Sequence, residues 1–161
     1  MPDVNDLDRR HMRRAIELSR EMMEANQGGP FGAVITRGET VVAEGFNQVT
    51  SSFDPTAHAE VSAIRAACQA EQNFSLEGCT IYTSCEPCPM CLAAIYWARI
   101  SRIVYANSRS DAAEIGFDDD FLYNEIPLPI DQRSIPMEQT LAKEALSVFQ
   151  AWNNKADKTP Y

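Results

Sequence analysis

The chain has 161 residues, 45% apolar and 23% charged, a composition that excludes a disordered, collagen-like or coiled-coil protein. Its 14 basic and 23 acidic residues leave a net charge of −9, spread over both halves, which disfavours nucleic acid as a partner because phosphate neutralisation drives such binding. No run approaches the ~18 apolar residues of a membrane span, and the charged first twenty residues lack the apolar centre of a signal peptide. A cytoplasmic protein with no membrane partner is expected.

From Asn5 to Ala25, residues Leu7, Ala15, Ile16, Leu18, Met22 and Met23 recur at helical spacing, with Asn5 or Asp6 as cap. Gln27-Gly28-Gly29-Pro30 ends that helix. Phe31–Thr36 and Val41–Phe46 read as strands of a hairpin turning at Arg37-Gly38-Glu39. Asn47–Thr56 reads as a polar loop, with Asp54 and Pro55 as cap and first position of the next helix. On that helix Ala57, Val61, Ile64 and Cys68 share one face, which predicts a buried Cys68. Thr80–Ser84 reads as a third strand, Pro89–Ala98 as a helix and Ile103–Tyr105 as a fourth strand. A further helix is expected from about Ser110, and Leu141, Ala145, Val148, Phe149 and Trp152 predict a last amphipathic helix. The order predicts a three-layer α/β sandwich around one mixed sheet, in a single domain over residues 1–161.

Two constellations carry chemistry. His58-Ala59-Glu60 stands at a predicted helix start, and Pro87-Cys88-Pro89-Met90-Cys91 leads from a strand into a helix. Cys88 and Cys91, three apart in a first turn, can converge on one ion, and the helix N-terminus favours their thiolate form. His58 adds a neutral ligand, and the fourth tetrahedral position is left to water, as in a catalytic zinc site. Glu60 lies ~200° around a regular helix from His58, yet first-turn side chains lean past the helix end. There a carboxylate can take a proton from water and return it to a leaving amine. Cys85, at the same spacing as Cys88 and Cys91, leaves open a closed Cys3His structural zinc, in which the placement of Glu60 would have no explanation. Arg9, Arg10, Arg13, Arg14 and Arg20 could form an RNA-binding face. Their neighbours Glu17, Glu21 and Glu24 predict instead a solvated helix face with pairs such as Arg13–Glu17 and Arg20–Glu24.

The His-x-Glu and Pro-Cys-x-x-Cys patterns are those of zinc-dependent nucleobase deaminases. The chain resembles the cytidine deaminase-like superfamily, and within it is similar to the bacterial guanine deaminases. The likeness spans nearly the whole chain: Gly28–Ile35, Asp54–Val61, Thr83–Cys91, Asp111–Glu114, Gly116–Asp119 and Phe149–Trp152. It implies a three-layer α-β-α fold with a five-stranded mixed sheet, and zinc-dependent hydrolysis of guanine, a small-molecule purine base, to xanthine and ammonia. It assigns His58, Cys88 and Cys91 as ligands of one zinc per subunit, with Glu60 shuttling protons and Asp119 assisting around the leaving amine. Asn47, Phe31 and Ala59 would contact the base, and a homodimer would exchange residues from about 138 to 161, with Tyr161 closing the partner's pocket. Taken alone, Asn47 reads as a turn residue, Phe31 as core, Asp118, Asp119 and Asp120 as an acidic loop or helix start, and Tyr161 as an end. A tRNA wobble adenosine deaminase, a guanosine deaminase and a non-catalytic zinc-stabilised module are the competing expectations.

Overall fold

Strand β1 (Gly32–Arg37) is buried along all but its last residue, the mark of a strand covered on both faces. In the computed structural model, which describes residues 4–117 and 119–161, it lies at the centre of the sheet. It pairs antiparallel with β2 (Thr40–Phe46) on one side and with β3 (Cys79–Cys85) on the other. Parallel to β3 runs β4 (Arg102–Asn107), giving the mixed order β2-β1-β3-β4. The strands agree with the sequence expectation to within two residues.

The sheet has four strands among the described residues, not the expected five. Beyond β4 the chain forms α5 (Arg109–Glu114) and α6 (Asp120–Glu125), then a segment carrying Pro127, Pro129 and Pro136 around a 3₁₀ turn at Ile130–Gln132. Prolines withhold ladder donors, which accounts for the missing strand.

Side chains alternate across the sheet with period two. Ala33, Ile35, Cys79 and Ile81 pack with Ala59, Ala63 and Ala67 of α3 (Ala59–Glu71) and Ile95 of α4 (Pro89–Trp97). Val34 and Tyr82 pack on the opposite face with Ala15 and Leu18 of α1 (Asp6–Glu24). These are the three predicted layers.

Asn5 caps α1 in a reciprocal box with Asp8, as one of the two candidate caps was expected to. The buried stripe of α1 is Asp8, His11, Ala15 and Leu18, whereas Ile16 and Met23 are exposed. Asp8 is buried because it is satisfied. Its carboxylate accepts from Tyr82 Oη at 2.7 Å and from the Arg102 guanidinium at 2.6 and 3.1 Å, joining α1 to β3 and β4. The arginine face is paired as expected in kind but through another residue. Half-buried Arg14 takes Glu44 of β2 at 2.7 Å and Glu21 at 3.3 Å, and neither Arg13–Glu17 nor Arg20–Glu24 forms among the described residues.

The segment expected as loop contains a one-turn helix, α2 (Val49–Ser52), whose Ser52 hydroxyl donates to the Gln48 carbonyl oxygen. Asp54 does not cap α3. Its carboxylate accepts from the backbone and hydroxyl of Thr56 in a local turn, and α3 starts five residues later with His58 as its N-cap. The face of α3 nearest the sheet is Ala59, Ala63 and Ala67, so Cys68 is only half-buried. Short side chains permit a close approach: a Cβ at Gly45 of β2 would lie 2.4 Å from the Ala59 carbonyl oxygen.

The chain divides into two compact units, the second spanning Leu122–Tyr161. That unit holds α7 (Ala142–Asn154), which has no buried residue and exposes Leu146, Val148, Phe149 and Trp152. No helix among the described residues is long and apolar enough to cross a membrane.

Candidate active site

The strand directions bring three segments to one end of the sheet. Gly32 of β1 pairs with Phe46 of β2, and Ala33 pairs with Thr83 of β3. Phe31 before β1, Asn47 after β2 and the Cys85–Cys88 loop after β3 therefore meet. The close packing of α3 on Gly45 adds His58 and Glu60, and the end of α1 adds Met23 and Asn26. A cavity of about 690 Å³ opens there, within the usual range for a small-molecule site.

Two helix starts supply the metal-binding atoms. Cys88 is the N-cap of α4 with Pro89 at the first helical position, and the Cys91 backbone N–H donates to Cys88 Sγ at 3.4 Å. His58 Nδ1 lies 3.6 Å from Cys88 Sγ and 3.4 Å from Cys91 Sγ. A tetrahedral centre with bonds of ~2.1 Å to nitrogen and ~2.3 Å to sulfur needs N···S separations of about 3.6 Å, so the set fits a zinc ion. The three donor atoms all lie within 4.8 Å of one another, and they form the one such group among the described residues. Cys85 stands outside it. Its thiol donates to the Ser108 carbonyl oxygen at 3.6 Å, and burial pushes it up to about 11. The geometry therefore rules against the closed Cys3His arrangement.

The sulfurs are differentiated. Hydrogen bonds from the Cys91 thiol, from His58 and from the Cys91 backbone outweigh the cost of burial and hold Cys88 well below the ordinary thiol value, which favours its thiolate. That thiolate in turn raises both Cys91 and His58. Glu60, second residue of α3, is buried and faces the cavity, and desolvation raises its carboxyl above the ordinary glutamate value. The ~200° separation from His58 is no obstacle here. His58 has extended N-cap geometry, so its side chain departs from the helical rotation that sets Glu60.

Phe31, Asn47 and half-buried Asp119 also line the cavity. Ala59 is fully buried in the core cluster, and Tyr161 is exposed in the second unit. Asp118 lies outside the described residues. Among the lining residues that the sequence reading did not single out are Phe117, Glu86 and Gly28. Phe117 meets Phe31 edge to face at 4.9 Å, Glu86 accepts from the Arg109 backbone N–H at 3.1 Å, and Gly28 packs against Asn47. All three lie in stretches that carry the resemblance, Gly28–Ile35, Thr83–Cys91 and Gly116–Asp119, but nothing local to the sequence placed them at the cavity wall.

The chain is similar to known proteins. The sequence profile of the cytidine and deoxycytidylate deaminase zinc-binding region matches residues 5–107. Guanine deaminase of Bacillus subtilis is 55% identical over 93% of this chain and 96% of its own, and its crystal structure covers 95% of this chain with a TM-score of 0.93. A tRNA-specific adenosine deaminase of Haemophilus influenzae is 38% identical over 74% of this chain and 72% of its own. Guanine deaminase of Nitrosomonas europaea, at 26% identity over 92% of this chain and 84% of its own, has a TM-score of 0.67. With the His-Cys-Cys cluster, the adjacent buried glutamate and these relatives in agreement, the chain belongs to the cytidine and deoxycytidylate deaminase family and is a zinc-dependent hydrolytic deaminase.

Proposed function

We propose that this deaminase acts on the free base guanine, converting it with water to xanthine and ammonia. The observation that carries the reading is the charge of the cavity. Glu60, Glu86 and Asp119 line it, and no Lys or Arg is among the described residues that do. Phosphates of a nucleotide or an RNA would meet carboxylates there without a countercharge. A neutral base meets none of that repulsion, and near-full-length likeness to the Bacillus subtilis guanine deaminase points the same way.

His58, Cys88 and Cys91 would hold the zinc, whose Lewis acidity brings the pKa of water down to roughly 7. In the reaction, water adds to C2 of guanine and the bond to the 2-amino nitrogen breaks. Glu60 is placed to accept the proton of the attacking water and deliver it to the departing amine, which leaves as ammonia. Asp119 would stabilise the amine as it gains its proton, Phe31 would flank the base and Asn47 would hydrogen-bond its edge, with the Ala59 backbone at the helix start beside it. An ammonia-release assay over guanine, guanosine, adenine and a tRNA anticodon stem tests the reading. Guanine alone should be turned over rapidly; inosine formation in the tRNA with guanine untouched would replace it.

The second unit supports an exchange between two chains of a cytoplasmic homodimer, involving residues from about 138 to 161. Exposed Leu146, Val148, Phe149 and Trp152 on α7 call for a covering surface, as do exposed Tyr96, Trp97 and Tyr105 on the first unit. In that arrangement Tyr161 closes the partner's pocket. Substituting Tyr161 by Ala should then lower kcat/KM for guanine by roughly 10-fold or more, because lost closure admits water and loosens positioning. The melting temperature should move by less than about 2 °C, since an exposed side chain adds few core contacts. Unchanged kinetics, or a monomer by light scattering, would refute the exchange.

A further inference from the structure

We propose that Gly28 is a positioning residue for substrate selection. By carrying no side chain, it lets the Asn47 carboxamide lock onto the neighbouring backbone, so that Asn47 meets the ligand with N–H donors only. The inference rests on the reading that Asn47 faces the base.

A Cβ at Gly28 would stand 1.9 Å from the Asn47 carbonyl oxygen and 2.7 Å from its Oδ1. Gly28 is not among the glycines with positive φ, so room rather than backbone conformation is what demands glycine here. In the space thus left, Asn47 Oδ1 accepts from the Gly29 N–H at 3.1 Å and from the Val49 N–H at 3.2 Å. Two donors on one carbonyl oxygen use both lone pairs and fix the amide's orientation, because the flipped amide would set N–H against N–H. The Asn47 backbone N–H is tied as well, donating to the Phe31 carbonyl oxygen at 3.1 Å.

The two hydrogens on Asn47 Nδ2 meet no acceptor among the described residues, although Asn47 is only 6% exposed and lines the cavity. Such a donor is satisfied by a ligand lone pair: an exocyclic oxygen or an unprotonated ring nitrogen on the edge of the base. A base that presents an amino group at that edge sets donor against donor and leaves both unpaired, which is how polar sites reject near-isosteres. The amide is therefore a one-way reader of acceptors, and Gly28 keeps it so.

The test compares the wild type with Gly28→Ala, Asn47→Ala, Asn47→Asp and the Gly28→Ala/Asn47→Ala double variant. Displacing the amide by about 1 Å is expected to cost Gly28→Ala on the order of 100-fold in kcat/KM for guanine. Zinc content and cooperative unfolding should be retained. The double variant should lose clearly less than the product of the two single losses, because the amide that Gly28 positions is gone and only the backbone contact at residue 47 remains to be relieved. Asn47→Asp keeps the two backbone contacts but replaces the donor by an acceptor, and should lose at least as much as Asn47→Ala. The side-chain NH₂ signals of Asn47, identified by their loss in Asn47→Ala, should shift in Gly28→Ala with no ligand present. Multiplicative losses in the double variant, an unshifted NH₂ pair, a well-tolerated Asn47→Asp, or a Gly28→Ala protein without zinc or a folded state would each overturn the assignment. A wild type inactive on guanine would instead overturn the substrate reading. The amide signals are read without ligand and separate the two failures.

Discussion

Replacing Glu60 with Gln is expected to leave zinc content and folding intact and to cut guanine turnover by roughly 10²- to 10⁴-fold, the usual contribution of a general acid–base group. Gln has nearly the shape of Glu and can still hydrogen-bond, but it cannot pass a proton. The reaction needs the same proton taken from water and given to the amine, so loss of the carrier affects both steps. The location of Glu60 suits a carrier. It is buried at the cavity wall, desolvation raises its carboxyl above the ordinary glutamate value, and the His58–Cys88–Cys91 cluster stands beside it. Turnover numbers, elemental analysis for zinc and thermal unfolding of the variant supply the check. Near-normal turnover with full zinc occupancy would remove Glu60 from the proton path. Loss of zinc would make it a support of the metal site instead.

The metal cluster was legible in the sequence because its geometry is local. Cys88 and Cys91 share one helical turn, and a helix start needs no long-range contact to orient them. What brings His58 to them was not legible. His58 joins through its N-cap position and the close packing of α3 on Gly45, and the sequence expectation had begun that helix at Asp54. The sheet was legible from alternation, and the helix faces were legible only where apolar residues marked them. On α3 the alanines, too small to stand out in a hydrophobicity pattern, form the contact face and leave Cys68 half-buried. On α1 the pattern hid two buried positions altogether, because Asp8 and His11 are polar. A polar residue on a buried stripe depends on partners far along the chain, and those of Asp8 are Tyr82 and Arg102. Asn47 shows the same limit at the site. Its residue type suits reading a base edge, yet which of its atoms is free follows from backbone donors at Gly29 and Val49.

Asp8→Asn is expected to destabilise the fold by roughly 3 kcal/mol at pH 7, the lower end of the cost of breaking a buried ion pair, because the Arg102 side chain remains 28% exposed. The Asp8 carboxylate accepts from both guanidinium nitrogens of Arg102, from Tyr82 Oη and from the Asn5 backbone N–H, so the amide leaves a cation short of its countercharge and two donors facing its own N–H. The Arg102 guanidinium holds the Asp8 carboxyl well below the usual carboxylate range, while the unfolded chain keeps it near the ordinary value of ~3.9. A depressed native value means that the stabilisation is fully present above the unfolded value and is lost as pH falls below it. The gap between wild type and Asp8→Asn should therefore narrow from pH 7 to pH 3, since only the wild type must take up a proton at this position. Acid removes any bound zinc from both proteins alike, so that loss cancels in the difference. Urea unfolding at pH 7 and pH 3 measures the gap. An equal gap at both values would mean that Asp8 acts through shape and not through charge. The consequence reaches the site, because Asp8 clamps the start of α1 to β3 and β4, and the far end of the same helix places Met23 on the cavity wall.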